Sequence, residues 1–496
     1  MAQRHMDRLT SFDTSFLTNE RSNGHMAIGA VLMCAGEPPS PDDFEAHIRS
    51  RVHLLPRLRQ RLLFPPLGLG TPFWVDDPEF DLRNHVRHTT LPSPGDDAQF
   101  HELVGEVLSP PLDRTRPLWQ LVMVDGFAED RFAVVYKTHH AMADGFSAVD
   151  IGTLLFDPEP NPVPSREEEQ WTPQASPSTA GLAVRAIAGI WGTARRMAAW
   201  LADAMRRPGR ARKRAANGLA GLWEVTWALT KPAPKVPLNV EIGPRRAFAW
   251  ADFTLADFKL IKNGLGVTVN DVILAATAAA LRRWLADREV DTDGMELKAL
   301  VPVSIRTVNE QGELGNRLTA MRGPLPVGIA DPVERLHAVH AGMDTLKDSK
   351  QPLGAEAIWG LNDWFRDFAP VLLGPTAAIN FSTRLFNLLV TNFPGPQIPF
   401  YLLGREVEGV FPIGFLARRH ALAIAIVSYN GKVGFGILAD RDSMPDLEVL
   451  SGYLRESVDE LLAAARIASA GKSSDDGVAA DIRPRFARER ERLSDA

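Results

Sequence analysis

Two adjacent histidines, His139 and His140, are followed at fixed distance by Asp144-Gly145, which sets a proton acceptor and an acid that could orient it within a single turn. In a chain with twelve histidines, ordinary residue usage would produce this HHxxxDG pattern by chance on the order of once in a thousand sequences. An imidazole has an unperturbed pKa of about 6.5, so at neutral pH it is mostly able to take a proton from an alcohol as that oxygen attacks an acyl carbon. His140 is therefore the candidate general base. Two roles are open to Asp144: orienting the imidazole directly, or pairing with a distant arginine to hold the shape of the loop. An acid at a tight Asp-Gly turn is more often structural.

The elements around the pattern would place it at the end of a strand. Residues 131–139 alternate Phe132, Val134, Tyr136, Thr138 against Ala133, Val135, Lys137, His139, the period of a strand with two different faces, so His139 and His140 should point opposite ways. After Gly145, the run Phe146, Val149, Ile151, Leu154, Leu155 has helical spacing. His140 then stands where a strand hands over to a helix, a place where side chains commonly face a cleft.

With its flanking segments, the pattern resembles the acyltransferase superfamily of chloramphenicol acetyltransferase, the carnitine acyltransferases and the condensation domains of peptide synthetases. Within it, the chain looks like a bacterial wax ester synthase/diacylglycerol acyltransferase over about residues 9 to 440. The matching segments are Leu9 to Leu17, His25-Met26-Ala27-Ile28-Gly29, Pro117-Leu118-Trp119, Asn270-Asp271, Val301 to Arg306 with Gly315-Asn316, and Asn392-Phe393-Pro394-Gly395-Pro396. The first segment departs from the usual pattern, with Asp13-Thr14 for an aspartate-alanine pair and His25-Met26 for Met-His. The resemblance implies an α/β fold of two chloramphenicol-acetyltransferase-like mixed-sheet domains with an active-site tunnel at their interface. It also implies direct transfer of a fatty acyl group from coenzyme A to diacylglycerol or a long-chain fatty alcohol. His140 would take the hydroxyl proton and return it to the departing thiolate. No acyl-enzyme is needed, in keeping with the absence of a GxSxG elbow and with Cys34 in an apolar run.

Further site residues follow from the same resemblance. Asn270 is the candidate oxyanion donor beside Asp271, although the Thr268-x-x-Asp271 spacing also reads as a plain helix cap. Arg306 is the candidate partner of Asp144, or an ordinary loop charge. Pro117, Leu118 and Trp119 are candidates for shaping an acyl channel, against the commoner fate of a Trp before a strand, which is core.

Composition narrows the classes. With 496 residues, 45% hydrophobic and 23% charged, the chain can bury large cores and should form two domains. A net charge of −6 gives no general attraction to nucleic acid. The single cysteine allows no disulfide within the chain and no multi-thiolate metal site, and His139-His140 are too close and too opposed to form a zinc pair. Gly471-Lys472-Ser473 lacks the upstream glycine of a P-loop, and both Gly68-Leu69-Gly70 and Gly264-Leu265-Gly266 lack the third glycine of a dinucleotide fingerprint. The expectation is no metal and no cofactor beyond acyl-CoA as co-substrate.

Charge is unevenly distributed. Between Gly181 and Lys235 there are eleven Lys and Arg against two acids, Asp203 and Glu224, interspersed with Trp191, Trp200, Trp223 and Trp227. Basic amphipathic helices with tryptophan bind anionic lipid surfaces, each cation contributing about 1 kcal/mol near the surface. The other reading is a connector whose helices pack on the domains. The N-terminus has no apolar core of a secretory signal, and no stretch supplies about twenty uncharged apolar residues. The expected location is cytoplasmic, peripheral to the inner membrane or to lipid inclusions.

Proline-rich runs at 157–164 and 231–237 bound this segment. The expected organisation is an N-terminal domain over 1–156, a basic, partly helical linker over 157–240, a C-terminal domain over 241–472 and a mobile tail over 473–496. Helix starts are read at Ser40-Pro41, Thr268-Val269 and Asp331-Pro332, and a hairpin at Asn430-Gly431 between 421–429 and 432–438. Two alternatives are weighed for function. A peptide-synthetase-like condensation enzyme would carry a DFGWG motif where this chain has Phe411-Pro412-Ile413-Gly414, and a noncatalytic lipid-surface protein would not need an intact HHxxxDG.

Overall fold

The alternation of residues 131–139 becomes a strand with those same bounds, and its two faces supply two different cores. The computed structural model describes residues 6–20, 22–66, 71–145, 152, 154–161, 171–184, 232–304, 318–348 and 385–494, with scattered positions between 188 and 206. The N-terminal sheet has the order β12 (Tyr401–Leu402), β13 (Arg405–Ile413), β2 (Ala27–Ala35), β7 (Arg131–His139), β6 (Trp119–Asp125), β5 (Val86–Thr90), antiparallel except for the parallel β5–β6 pair. Phe132, Val134 and Tyr136 of β7 enter a core with Trp119 and the helix residues Phe44 and Ile48. Ala133 and Val135 point the other way, into a larger core shared with the second half of the chain.

The second sheet runs β10 (Leu318–Leu325), β9 (Leu297–Ser304), β11 (Leu388–Pro394), β14 (Leu422–Tyr429), β15 (Lys432–Asp440), β8 (Arg246–Thr254), with β11 parallel to both its neighbours. A small sheet of β1 (Met6–Arg8), β4 (Phe73–Asp76) and β3 (Gln60–Leu63) flanks the N-terminal half. The expected class, two mixed-sheet α/β halves, is what the chain forms.

The sheets do not divide where the chain does. β13, from residues 405–413, joins the N-terminal sheet beside β2, pairing Phe411 with Val31 and Pro412 with Ala30. It then lies against β15 so closely that a Cβ at Gly436 would stand 1.8 Å from the Pro412 carbonyl oxygen, and one at Gly434 would stand 2.1 Å from that of Val410. Only glycine fits there, because any side chain would drive the strands apart.

Local start signals act as read. Ser40 Oγ accepts from Asp43 N–H at 3.1 Å and opens α2 (Pro41–Arg51), after the short α1 (Ser11–Asn19). Asp96 and Gln99 form a capping box on α3 (Asp97–Leu108). α4 (Leu255–Leu265) follows β8, and a capping box between Thr268 and Asp271 opens α5 (Val269–Ala286). Asp331 accepts from Val333 and Glu334 N–H at the start of α6 (Pro332–Asp348). Asn430 and Gly431, at φ 42 and 78, make the turn between β14 and β15.

In the first part of the linker, Asp157 pairs with Arg51 at 2.6 Å, and Trp171 lies against the Arg59 guanidinium and edge-on to Phe80. Of the segment expected as a tail, 473–496, the described residues 473–494 carry backbone helix as the continuation of α7 (Leu447–Ser494). No single described helix is long and apolar enough to cross a membrane; α4 and α5 pass such a test only as a pair, with a 98° bend, and most of α5 is buried in the larger core.

Candidate active site

β7 ends at His139, and the chain tightens at once into a 3-10 turn over His140–Gly145. The dihistidine backbone is fixed from both sides of the strand. His139 N–H donates to the Leu118 carbonyl at 3.0 Å, and His140 N–H donates to that of Met26 at 2.8 Å. The His140 ring stacks on Phe16 of α1, with centroids 3.9 Å apart and planes 15° from parallel, and meets Phe415 edge-on at 5.6 Å. Phe16 belongs to the first half of the chain, and Phe415 to the segment that crosses from β13 to β14. The candidate base therefore sits at the junction of the two sheets. The described residues form an aromatic clasp around this half-buried ring.

The Nδ1 of His140 is enclosed without a hydrogen-bond partner. Burial, only partly offset by interaction with its own backbone, pushes its pKa down to about 4, so the imidazole is uncharged at neutral pH. An uncharged imidazole keeps one nitrogen lone pair with which it can accept a proton.

His139 plays a different part. Its ring is buried, and its Nδ1 accepts from the Ala141 N–H at 3.0 Å. A neutral ring must then carry its proton on Nε2, which lies 3.6 Å from Glu20 Oε2. Burial alone would push the Glu20 carboxyl up; His139 and Arg114 outweigh it and hold the group at about 2. Arg114 donates from Nε to Glu20 Oε2 at 2.9 Å and from Nη2 to the Leu17 carbonyl at 2.9 Å. Sequence reasoning missed Phe16, Glu20, Arg114 and Phe415. Phe16 lies within the LTSFDTSFL segment and Glu20 stands four positions on, and that spacing was the available signal.

Behind the histidines, Lys137 is buried and donates to the carbonyls of Val107 at 2.9 Å and Pro110 at 2.5 Å, at the C-terminal end of α3. Burial and the nearby Arg246 lower its pKa to about 7. His25, also buried, bonds the Ser109 carbonyl at 3.1 Å, and burial lowers its pKa to about 4.

The remaining candidates are distributed as follows. Leu118 and Trp119 are fully buried in the smaller core, on the face of β7 away from Ala133 and Val135, with Pro117 buried beside them. Trp119 Nε1–H donates to the Leu58 carbonyl at 2.8 Å, and the indole stacks on His85. Its place is structural, and the motif reaches the histidines through the Leu118 carbonyl. Asp271 is buried, caps α5, and takes His340 Nδ1 at 2.8 Å. Asn270, one position earlier, is half-buried, and no hydrogen bond or ring contact among the described residues joins it to His140. The backbone of Asp144 and Gly145 lies in the 3-10 turn. The Asp144 side chain, Arg306 and Gly315-Asn316 lie outside the described residues. A cavity of about 250 Å³ lined by Arg49, Arg59, Phe80 and Trp171, among others, does not touch His140. Among the described residues no group of three His, Cys, Asp or Glu is placed to hold a metal ion.

The family profile for the wax ester synthase/diacylglycerol acyltransferase catalytic domain matches residues 9–273, and the profile for the C-terminal domain of the same family matches 314–462. The chain belongs to the wax ester synthase/diacylglycerol acyltransferase family. Like other members it is an acyltransferase. A probable diacylglycerol O-acyltransferase of Mycobacterium tuberculosis is 30% identical over 462 residues, covering 92% of this chain and 96% of that protein. A putative diacylglycerol O-acyltransferase of the same organism is 32% identical over 468 residues, covering 92% and 90%. Among solved structures, the wax ester synthase/diacylglycerol acyltransferase of Marinobacter aquaeolei VT8 superposes with a TM-score of 0.64 at 26% identity, covering 92% of this chain and all of that one. The starter condensation domain of rhizomide synthetase shares the fold at 13% identity and a TM-score of 0.53.

Proposed function

We propose that this member of the family moves a long-chain fatty acyl group from coenzyme A to the hydroxyl of diacylglycerol, of a long-chain fatty alcohol, or of both, with His140 as general base. The observation that carries the assignment is the uncharged, half-buried His140 ring clasped by one aromatic from each half of the chain. The acceptor O–H gives its proton to the imidazole as its oxygen bonds to the thioester carbon. The tetrahedral intermediate then collapses with cleavage of the C–S bond, and the imidazolium returns the proton to the thiolate. Asn270 is the proposed donor to the oxyanion, and an Asp144–Arg306 pair the proposed brace of the loop. The reaction needs no metal or further cofactor, so turnover should survive chelators.

The names of the mycobacterial and Marinobacter relatives support the acceptor classes. Supplying purified protein with long-chain acyl-CoA and either dioleoylglycerol or hexadecanol, and following thiol release, tests the reading. Wild type should turn over with at least one acceptor, and His140→Ala should lose about a hundredfold or more. Equal turnover by the variant would remove His140 from the chemistry.

We further propose that the protein works in the cytoplasm, attached peripherally to anionic membrane or lipid-inclusion surfaces through 181–235. Support comes from the eleven cations of that segment and from Val184, Trp191 and Met205, which are 67%, 68% and 78% exposed. Co-sedimentation with vesicles containing anionic lipid, abolished by salt and by Trp191→Ala, would be the expected result; no vesicle binding at low salt would contradict it.

A further inference from the structure

The short helix α1 touches both histidines. Phe16 stacks on His140, and one turn later Glu20, the residue that ends the helix, faces His139; the Glu20 N–H bonds the Phe16 carbonyl at 3.1 Å, so the two contacts share one helical turn. We propose that Glu20, backed by Arg114, is a positioning residue for acyl transfer: it holds the His139 Nε2–H edge, and through that ring the turn that presents His140. The inference rests on His140 being the general base.

The side chains of His139 and Glu20 are 2% and 10% exposed. At 3.6 Å the contact is longer than a full hydrogen bond, and it acts by charge, which counts for more where water is excluded. Turning the His139 ring over would remove the Nδ1 acceptor from Ala141 N–H and leave a buried donor unpaired. Glu20 disfavours that flip, because it attracts the proton on Nε2. A buried carboxylate needs its own compensation, and Arg114 supplies it while tying the Leu17 carbonyl, so the last turn of α1 is clamped to the loop before β6. His139 and Glu20 thus need make no contact with substrate to affect the rate.

The test uses the full chain with Glu20→Gln, Glu20→Asp and Arg114→Met, and His140→Ala alongside, measuring kcat, KM for acyl-CoA and thermal unfolding. Long-range 1H–15N spectra of histidine-labelled protein, with His139 assigned by substitution, report the tautomer. Glu20→Gln should lower kcat roughly tenfold or more with KM nearly unchanged, and Glu20→Asp should recover part of it. The Nε2–H signature of His139 should give way to a mixture in the glutamine variant. A Glu20→Gln enzyme with wild-type kcat, or with an unaltered His139 tautomer, would overturn the proposal. Should that variant fail to fold, Arg114→Met decides: a fall in kcat at constant KM supports the clamp, and an unchanged kcat refutes it. Loss of turnover in His140→Ala with none in Glu20→Gln would end this inference alone, whereas full turnover in His140→Ala would end the general-base reading itself.

Discussion

Among the described histidines of the N-terminal half of this acyltransferase, His85 and His140 are stacked face to face on an aromatic ring. His85 stacks on Trp119 at 4.6 Å and 16°, and His140 stacks on Phe16 at 3.9 Å and 15°. Burial lowers both pKa values. The difference lies in what the nitrogens meet. His85 is 3% exposed and its Nδ1 bonds the Trp119 carbonyl at 2.9 Å, whereas His140 is half-buried, with its Nδ1 enclosed and unpartnered. A stacked, neutral histidine is thus an ordinary core device. What sets His140 apart is its place at a junction that both halves of the chain help to build, between Phe16 and Phe415.

Substitution should separate the two most sharply. His140→Ala is expected to reduce kcat/KM by about 10²–10⁴ with little change in melting temperature. His85→Ala should do the reverse, costing about 1–3 kcal/mol of stability through the lost packing and the orphaned carbonyl, with kcat/KM of the folded fraction near wild type. Equal rate losses in the two variants would dissolve the distinction.

Gly436→Ala tests whether the junction itself is needed. With only 1.8 Å between the added carbon and the Pro412 oxygen, β13 must move away from β15. A loss of about 2–3 kcal/mol is expected by denaturant unfolding, and the segment carrying Phe415 should shift with it. Trp119→Phe, on the other side, removes the indole donor to Leu58 and leaves that carbonyl unpaired, for about 1–2 kcal/mol in stability and no change in the pH dependence of rate. Smallest is Thr268→Ala, which removes the side-chain cap of α5 and should cost about 1 kcal/mol in thermal unfolding.

Features of short range were legible in the sequence. The strand over 131–139, the caps at Ser40, Thr268 and Asp331 and the turn at Asn430-Gly431 each depend on a few adjacent residues, so local chemistry decided them. The HHxxxDG spacing was legible for the same reason. What the sequence hid was long-range pairing: β13 filling the edge of the other half's sheet, Glu20 meeting Arg114 across 94 positions, and Phe415 reaching the ring of His140. Neither periodicity nor spacing carries that information. Trp119 shows the complementary difficulty, since a buried indole and a channel wall have the same sequence pattern, and only the face of β6 on which it falls tells them apart.

Acid should act on the same residues with a definite sign. His140 and His25 hold pKa values of about 4 in the folded chain and return to about 6.5 when unfolded. The unfolded state therefore binds extra protons between those values. Their contribution to stability is complete above pH 6.5 and is lost as pH falls toward 4.

The central claim, that the His140 ring is the base and is uncharged well below neutrality, is tested most directly by the pH dependence of kcat/KM for the wild-type enzyme over the range in which it stays folded. The account predicts a profile that stays level through about pH 6.5 and declines only toward a midpoint near 4. An acid limb centred near the ordinary imidazole value, or one that persists unchanged in the residual activity of His140→Ala, would contradict it.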